Sequence, residues 1–397
     1  MKRNLLLSAL LLCGALLAAC SKQPPPEPVH TRLFAQGDGG SKYYRIPALV
    51  TAADGTLLAV ADRRGDSQGD LPNLIDIVVR RSTDRGATWG EPITIAQHLD
   101  TCGYGDAALV VDPRSGDVVC VFAAGCGLWA STAEAPARVC TVRSADNGLT
   151  WSPVEDITAQ LYGPGCDNPA SAPISAMFAA SGRALALDDG TLLFAVAASH
   201  TGERWPPLYN YVCRSDDGGR TWSLLPAPTA VPPVGDESKL VELSDGRWLI
   251  SMRNPHKGGR RYAVSSDRGA TWSEPGTWYD LPDPACDGDI LRYPKRWAKG
   301  RDILLHSIPA DSASRRNVSI AVSYDEGLTW PVRRTVWEGP SGYSALTVLD
   351  DGSIGLLTEV GDWDPGYEIW FTRLTLDWLE AAPAEGAAEV PAAAPAE

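Results

Sequence analysis

Arginine, carboxylate and phenol side chains occur in separate stretches of this sequence and could together bind an acid and carry out nucleophilic chemistry. Arg45 lies in the tetrapeptide YRIP, Glu237 precedes Arg253 by 16 residues, and Tyr343 follows near the end of the chain. A guanidinium group recognises a carboxylate with planar, bidentate and permanently charged geometry. A phenol has a pKa of about 10 and needs a neighbouring base before it becomes a nucleophile. These groups can cooperate only if the fold brings distant stretches together.

A repeated motif indicates what that fold is. The pattern S-x-D-x-G-x-T-W occurs five times, at intervals of tens of residues that are typical of solenoids and propellers. Strand-like runs precede each copy, and Asp-Gly or Gly-Asp turns recur at short spacing, which favours short antiparallel strands over helices. The five copies begin at Ser82, Ser144, Ser215, Ser265 and Ser323.

The motif is predicted to build the frame and to take no part in chemistry. Its aspartate, such as Asp84, can accept hydrogen bonds from nearby backbone N–H groups and hold a turn. The glycine two residues later, here Gly86, suits a positive φ, and the final Trp89 can pack its indole against the sheet.

The charge balance restricts the partners. The chain has 35 Lys and Arg against 49 Asp and Glu, a formal net charge of −14. Nucleic-acid binding requires basic surfaces, so nucleic acid is not an expected partner. An anionic small molecule is not excluded, because a few buried arginines can set a local field of opposite sign.

Cysteines and histidines give no metal signature. No pair has C-x-x-C spacing and the five histidines show no ligand spacing, so neither a metal nor another cofactor is expected. Disulfides are permitted in an exported protein, and we expect buried thiols with one or two structural bridges and at least one thiol unpaired. The cysteines concerned are Cys102, Cys120, Cys126, Cys140, Cys166, Cys213 and Cys286.

The N-terminus resembles a bacterial lipoprotein export signal. Lys2 and Arg3 precede the apolar run Leu5–Ala19, which is too short for a comfortable membrane span. The ending LAAC resembles a lipobox, which implies removal of residues 1–19 and diacylation of Cys20. A plain signal peptide with a chance cysteine is the alternative.

Composition divides the remainder into a tether, a folded part and a tail. Residues 20–29 form a Pro-rich tether, residues 30–380 the folded domain, and residues 381–397 an Ala/Pro/Glu low-complexity tail. Ser21 after Cys20 fits sorting to an outer membrane, with the domain facing the periplasm or the cell surface.

The repeats resemble the Asp-box, or BNR, motif of bacterial exo-α-sialidases (neuraminidases). The resemblance covers nearly the whole folded part and implies an all-β, six-bladed β-propeller with five Asp-box motifs. It implies that the sixth blade, around Ser344–Leu357 and Tyr367–Leu374, is closed by an N-terminal strand near Thr31–Phe34. Since non-catalytic Asp-box proteins exist, the boxes alone do not establish an activity.

The resemblance assigns three arginines to a clamp for the substrate carboxylate. Arg45 matches the family's R-I-P motif. Arg253 lies in the stretch ESKLVELSDGRWLISMRNP, which begins at Glu237. Arg315 stands eight residues before Ser323, the position that the family uses, and Arg316 is its alternative.

The same family uses a tyrosine nucleophile where most glycosidases use a carboxylate. The reason is electrostatic, since a carboxylate would be repelled by the acid group of the sugar. Tyr343 matches the nucleophile, Glu237 the base, and Asp70 the acid/base, with Asp66 as the alternative. An acid of this kind needs a pKa raised towards the working pH.

Four further residues are implied by the resemblance. Arg64 and Asp62 are expected near O4 of the sugar, Asp106 near O4 or the N-acyl group, and Glu359 is expected to orient Arg45.

The sequence therefore predicts a retaining exo-α-sialidase that removes terminal sialic acid from glycoproteins, glycolipids and oligosaccharides through a tyrosyl intermediate. A trans-sialidase, which transfers the sugar to an acceptor or to the sugar's own O7, is the first alternative, with an aromatic platform drawn from Trp205, Trp278, Trp297 and Trp363. A non-catalytic glycan-binding propeller is the second, and it gives no reason for the clamp, the tyrosine and its base.

Overall fold

The computed structural model describes residues 24–100, 102–132, 134–203, 207–229 and 233–381. The predicted export signal, the lipidation site Cys20 and the tail beyond Ala381 lie outside the described residues. Within them, no helix has the length and apolar character that crossing a bilayer requires.

Over the described residues, the fold consists of twenty-six strands and three short α-helices. In the first half of the chain the strands are β1 (Val29–Phe34), β2 (Tyr43–Thr51), β3 (Leu57–Arg64), β4 (Ile75–Ser82), β5 (Ile93–Ala96), β6 (Gly103–Val111), β7 (Val118–Gly125), β8 (Arg138–Ser144), β9 (Glu155–Asp156), β10 (Ile174–Ala179), β11 (Gly182–Arg183), β12 (Leu185–Ala186) and β13 (Leu192–His200). In the second half they are β14 (Tyr209–Ser215), β15 (Ser223–Leu224), β16 (Ser238–Glu242), β17 (Trp248–Met252), β18 (Gly258–Ser265), β19 (Gly276–Asp283), β20 (Asp289–Tyr293), β21 (Ile303–Pro309), β22 (Val318–Ser323), β23 (Val332–Thr335), β24 (Ser341–Val348), β25 (Ile354–Asp362) and β26 (Gly366–Leu374). The helices are α1 (Gly127–Ala130), α2 (Thr158–Leu161) and α3 (Leu376–Glu380), with 3₁₀ turns at Asp38–Gly40 and Pro169–Ser171.

Six antiparallel sheets form the blades of a β-propeller. Blades 1 to 5 run outward as β2–β5, β6–β9, β10 with β13–β15, β16–β19 and β20–β23. Blade 6 takes β24, β25 and β26 from the end of the chain and β1 from its beginning. β1 pairs antiparallel with β26, so that His30 faces Thr372, and this closure leaves the ring without a break. The predicted six-bladed all-β propeller is confirmed, with β1 slightly longer than expected.

The hydrophobic core lies between the blades. Inner strands are buried on both faces because each blade packs against two neighbours, so they read as nearly continuous apolar runs. Val60 of blade 1 and Phe122 of blade 2 share one cluster, and Leu305 of blade 5 and Leu346 of blade 6 share another. This packing makes the axis-facing strands rigid supports for side chains at their ends.

Each repeat motif forms the turn after the third strand of blades 1 to 5. In the first copy, Thr88 donates its N–H and hydroxyl to Asp84 at 2.9 and 2.5 Å, and Ser82 donates to the same carboxylate at 2.8 Å. The indole of Trp89 donates to the carbonyl of Gly86 at 3.1 Å. Both carboxylate oxygens of Asp84 thus accept local hydrogen bonds. The residue is exposed on the blade and lies outside the cavity described below.

All seven described cysteines are free thiols, so the expected structural bridges are absent from the described residues. Strand register explains this for the inner ones. Cys120 faces Leu109 on one side and Val142 on the other, and Cys140 faces Phe122. Their sulfur atoms therefore pack against apolar neighbours as small hydrophobic groups.

Candidate active site

A cavity of about 490 Å³ receives side chains from all six blades. Its lining combines three arginines and four carboxylates with apolar and aromatic side chains. The polar residues are Arg45, Asp70, Asp106, Asp236, Glu237, Arg253, Arg315 and Tyr343, and the remaining lining includes Leu71, Ala123, Leu128, Trp129, Phe178, Trp363 and Tyr367.

Tyr343, Glu237 and Arg253 form a closed set of hydrogen bonds in this cavity. The Tyr343 hydroxyl donates to Glu237 Oε2 at 2.8 Å, and Arg253 Nη1 lies 2.8 Å from the same hydroxyl. Arg253 Nη1 also donates to Glu237 Oε2 at 2.5 Å. Tyr343 belongs to β24 in blade 6, whereas Glu237 immediately precedes β16 and Arg253 immediately follows β17, both in blade 4. Only the closed ring brings these two blades together at the axis.

The protonation states suit a phenol paired with a base. Burial raises the pKa of Tyr343 well above its ordinary value, in spite of the nearby Arg253, so the phenol is neutral. Burial also acts to raise the pKa of Glu237, but the charge and hydrogen bond of Arg253 outweigh it, and the pKa lies below the usual value. The carboxylate is therefore ionised and ready to accept the phenolic proton.

Arg45 is fixed by Glu359, as the resemblance implied. Arg45 Nε and Nη2 donate to the two Glu359 oxygens at 2.9 and 3.2 Å. Glu359 also accepts the backbone N–H groups of Ile46 at 3.0 Å and Tyr343 at 3.1 Å. One fully buried carboxylate thus sets the relative position of a clamp arginine and the tyrosine.

The R-I-P stretch bends the backbone where Arg45 leaves β2. Ile46 has φ 58°, a left-handed conformation that is rare for a β-branched residue. The pairing of β2 with β3 shifts register between Arg45 and Ala48, which marks a bulge. Local strain of this kind is common where a side chain is aimed into a site.

Arg315 enters the cavity from the loop between β21 and β22. Its Nη2 donates to the carbonyl of Ala285 at 3.0 Å. Its guanidinium carbon lies 5.1 Å from the centre of the Tyr343 ring, as does that of Arg45. Arg316 is exposed and does not line the cavity, so the geometry favours Arg315 over its neighbour.

Asp70 lies on the loop between β3 and β4 at the mouth of the cavity. Its side chain is 63% exposed and accepts a hydrogen bond from Arg64 Nη1 at 2.8 Å. Burial acts to raise the pKa of Asp70, but Arg64 and Arg45 outweigh it, and the pKa lies below its usual value. The raised pKa expected for an acid is therefore not present in this state of the site. Asp66, the alternative, is 93% exposed beside Lys42.

Arg64 and Asp62, expected near O4 of the sugar, are buried beside the cavity and are not among the residues that line it. Arg64 Nη2 donates to Asp62 Oδ2 at 2.9 Å, and the two side chains are 1% and 0% exposed. Burial raises the pKa of Asp62 to about 6 against the opposing charge of Arg64. Both residues belong to β3, whose pleat directs them inward, and their pair holds Asp70.

Asp106 does line the cavity. It has φ 60° and sits at a bulge where β6 shifts register against β7 between Gly105 and Ala108. Burial, followed by the charges of Asp62 and Asp70, raises the pKa of Asp106 well above its usual value. The carboxyl group is thus suited to donate as well as to accept a hydrogen bond.

Several lining residues were missed by the sequence analysis. Asp236 precedes Glu237 directly and lies 3.5 Å from Arg253 Nε, so the adjacent acidic pair was an available signal. The apolar wall gave none, because Leu128 and Trp129 belong to the four-residue helix α1 and Phe178 to the irregular edge of blade 3.

Of the four expected platform tryptophans, Trp363 lines the cavity. It is 51% exposed in the turn between β25 and β26, and Arg45 lies 5.7 Å from its ring. Trp278 is buried between blades 4 and 5, Trp297 lies away from the cavity, and Trp205 lies outside the described residues. Trp129, which also lines the cavity, is 65% exposed.

The described residues contain no group of His, Cys, Asp and Glu arranged to hold a metal ion. The chemistry that the cavity offers is that of three cations around a neutral phenol, a buried base and a carboxyl group at the mouth.

Comparison with known proteins agrees with this geometry. Residues 55–356 match the family model of the BNR repeat-like domain. A sialidase of Micromonospora viridifaciens is 36% identical over 383 residues, covering 91% of this chain and 56% of that protein. A sialidase of Bacteroides fragilis is 31% identical over 345 residues, covering 81% of this chain and 61% of that protein. This chain thus spans less than two thirds of the length of either relative.

A solved structure gives the same result. The structure of a Hadza microbial sialidase superposes with a TM-score of 0.79 at 30% identity, covering 88% of this chain and 69% of that one. The chain belongs to the BNR-repeat family of sialidases.

Proposed function

We propose that this protein is a retaining exo-α-sialidase that hydrolyses terminal sialic acid from glycoproteins, glycolipids and oligosaccharides. The observation that carries the proposal is the Tyr343 hydroxyl, which lies 2.8 Å from Glu237 Oε2 inside a cavity shared with three arginines. The names of the relatives support the same substrate class.

Substrate binding rests on the arginines. Sialic acid carries its carboxylate on the anomeric carbon, so a cationic clamp also places that carbon. Arg45, Arg253 and Arg315 provide it, and the guanidinium groups of Arg45 and Arg315 both lie 5.1 Å from the centre of the Tyr343 ring. The carbon to be attacked is therefore held beside the phenol.

The first chemical step forms a bond from Tyr343 Oη to the anomeric carbon. The phenolic proton passes to Glu237 Oε2, which already accepts that hydrogen bond. The bond from the anomeric carbon to the leaving oxygen breaks, and that oxygen takes a proton from Asp70. A neutral phenol avoids the repulsion that an attacking carboxylate would meet from the acid group of the sugar.

The second step reverses the first with water. Asp70 accepts a proton from the water as it attacks the anomeric carbon, and Tyr343 leaves and recovers its proton from Glu237. Two displacements retain the anomeric configuration. Arg64, 2.8 Å from Asp70, keeps that carboxyl group at the mouth where the leaving group and the water pass.

The test is a trapping experiment. A fluorinated sialosyl fluoride should form a covalent adduct, and peptide mass spectrometry should locate it on Tyr343. Hydrolysis of a fluorogenic sialoside, followed by NMR, should release the α-anomer of free sialic acid first. An adduct on Glu237 or Asp70, or initial release of the β-anomer, would contradict the mechanism.

A trans-sialidase is the second candidate, favoured by two exposed indoles that line the cavity. Trp129 and Trp363 are 65% and 51% exposed and both line it. Aromatic faces of this kind can stack on an acceptor sugar and exclude water. Product analysis with and without lactose decides between the two, because a hydrolase yields free sialic acid in both cases.

We further propose that the protein is anchored to the outer membrane through a diacylated Cys20. The proposal rests on the lipobox-like ending of the apolar run. Metabolic labelling with palmitate should mark the wild-type protein and leave a Cys20→Ala variant unlabelled and released from the membrane fraction. Equal labelling of both would refute the anchor.

A further inference from the structure

The segment that connects blades 4 and 5 passes directly behind the clamp. It runs between Asp283, the last residue of β19, and Asp289, the first of β20. The carbonyl of Ala285 accepts the hydrogen bond from Arg315 Nη2 at 3.0 Å, and Cys286 packs against Ile46 and Tyr343 in a small buried cluster. The position of this segment therefore determines where Arg315 can point.

Asp283 ties this segment to the strand end that carries Arg253. Asp283 Oδ1 accepts the backbone N–H of Cys286 at 3.0 Å. Its Oδ2 accepts the backbone N–H of Asn254, the residue after Arg253, at 2.8 Å. A single side chain, 0% exposed, thus fixes the backbone next to both arginines.

A buried cation holds Asp283 in place. Arg260, from β18, donates from Nη1 to Asp283 Oδ2 at 3.1 Å and to the carbonyl of Cys286 at 2.8 Å. Its Nε donates to Ser251 Oγ at 2.9 Å, and its side chain is 0% exposed. Arg260 therefore binds the same segment at two points, the carboxylate of Asp283 and the backbone carbonyl of Cys286.

The far end of the segment is anchored in the same manner. Lys239 Nζ donates to both oxygens of Asp287, at 2.8 and 2.7 Å, and Ser181 adds a third bond at 3.2 Å. Lys239 belongs to β16, which begins immediately after Glu237. Two buried cations on blade 4 thus hold the connection at both ends.

A contribution to stability alone does not explain why buried ion pairs such as Arg260–Asp283 are present. Removing two charges from water costs free energy that their attraction often fails to recover, and apolar replacements are frequently as stable. A binding site, in contrast, needs its groups held within about 0.5 Å of their working geometry. A displacement of about 1 Å can reduce a rate roughly 100-fold.

We propose that Asp283, held by Arg260, is the positioning residue that sets the spacing between Arg253 and Arg315 and thereby the affinity of the clamp for a carboxylate. The inference rests on the proposed sialidase function. It assigns to the connection between blades 4 and 5 a role in substrate binding, although none of its charged side chains lines the cavity.

The experiment compares two ligands that differ in one charge. The ligands are 2-deoxy-2,3-didehydro-sialic acid, which carries the carboxylate, and its methyl ester, which does not. Asp283→Asn keeps the shape of the side chain but loses its charge and one acceptor. We expect its affinity for the acid to fall at least tenfold and its affinity for the ester to stay within about twofold, so the ratio of the two affinities collapses.

The control is Glu326→Gln, which breaks another ion pair of the propeller. Glu326 Oε2 lies 2.5 Å from Arg292 Nη2, and neither residue lines the cavity. This variant should lose stability without changing the affinity ratio. If Asp283→Asn does not fold, Arg260→Lys decides, since lysine keeps the charge and loses the fork that contacts Asp283, Cys286 and Ser251 together.

The outcomes separate the two proposals. An affinity ratio in Asp283→Asn or Arg260→Lys equal to that of the wild type refutes the positioning role, as does an equal loss in Glu326→Gln. A wild-type protein that neither cleaves a sialoside nor binds the acid refutes the sialidase function itself.

Discussion

The hydroxyl of Tyr343 and the carboxylate of Glu237 lie 2.8 Å apart, although 106 residues separate them in the chain. Both side chains are almost fully buried, and Arg253 contacts both. The arrangement keeps the phenol neutral and the carboxylate charged, which are the states needed for a proton to pass from one to the other.

Tyr343→Phe and Glu237→Gln should each reduce kcat by about 100- to 10,000-fold, and the double variant should be little worse than either one. The two groups act on one proton, so their losses overlap. Steady-state kinetics on a fluorogenic sialoside measure this. Tyr324→Phe, which removes a hydroxyl at the surface, is the control and should turn over normally. Additive losses would show that the two residues act in separate steps.

Arg315→Lys should lower kcat/KM at least tenfold, or about 1.4 kcal/mol, because lysine keeps the charge but loses the planar fork. Arg316→Lys is a control matched in chemistry and in place, since Arg316 is exposed on the same loop. It should stay within about twofold of the wild type. A large loss in Arg316→Lys with little loss in Arg315→Lys would instead assign the clamp role to Arg316. The contact of Arg315 with Ala285 would then have no part in substrate binding.

If Asp70 is the acid, the pH profiles of kcat and of kcat/KM should differ. As an acid it must hold a proton, so the rate falls as the pH rises through its pKa. In the free site the charges of Arg64 and Arg45 outweigh burial and keep that pKa low. A substrate carboxylate on Arg45 offsets part of this effect, so the alkaline limb of kcat should lie at higher pH than that of kcat/KM.

Measured profiles on a natural sialoside test this expectation. Asp70→Asn should abolish the alkaline limb, and Asp66→Asn, on the same loop but fully in solvent, should leave it in place. Limbs at the same pH for both parameters would argue against Asp70 as the acid.

Asp325→Ala should lower the free energy of unfolding by about 1–2 kcal/mol without changing KM. Asp325 accepts hydrogen bonds from the N–H and hydroxyl of Thr329 at 2.9 and 2.6 Å and from Ser323 at 2.8 Å. Burial acts to raise the pKa of Asp325, but these bonds outweigh it and lower the pKa.

The sign of the pH effect follows from that shift. A carboxyl group with a lowered pKa in the folded state contributes stability above its unfolded pKa of about 3.9, and the contribution is lost as the pH falls through the folded value. The difference between wild type and Asp325→Ala should therefore be largest near neutral pH and shrink as the pH falls below the unfolded value. Urea titrations at several pH values measure it, and a gap that widens in acid would refute the assignment.

Many features of the fold could be predicted from short-range sequence patterns. The turn at Asp84 is held by residues within four positions, so eight residues specify it wherever they occur. The propeller then follows from repetition, and motifs such as the one containing Arg45 predict the clamp and the nucleophile. The expected bridges were wrong, because a cysteine count does not say which sulfur atoms face each other.

The sequence by itself determined the repeating turns and the blade number and predicted which side chains would react, because each depends on a local motif or on its resemblance to a known one. Only the tertiary structure decided that Arg315 and not Arg316 enters the cavity, and that Trp129 and Phe178 line it. It also decided that Asp283 connects the backbone after Arg253 to the segment that contacts Arg315. Contacts across blades link residues as far apart in the chain as Arg45 and Glu359, which are 314 positions from each other. Their positions depend on ring closure and on packing between blades, and no short stretch of sequence encodes either.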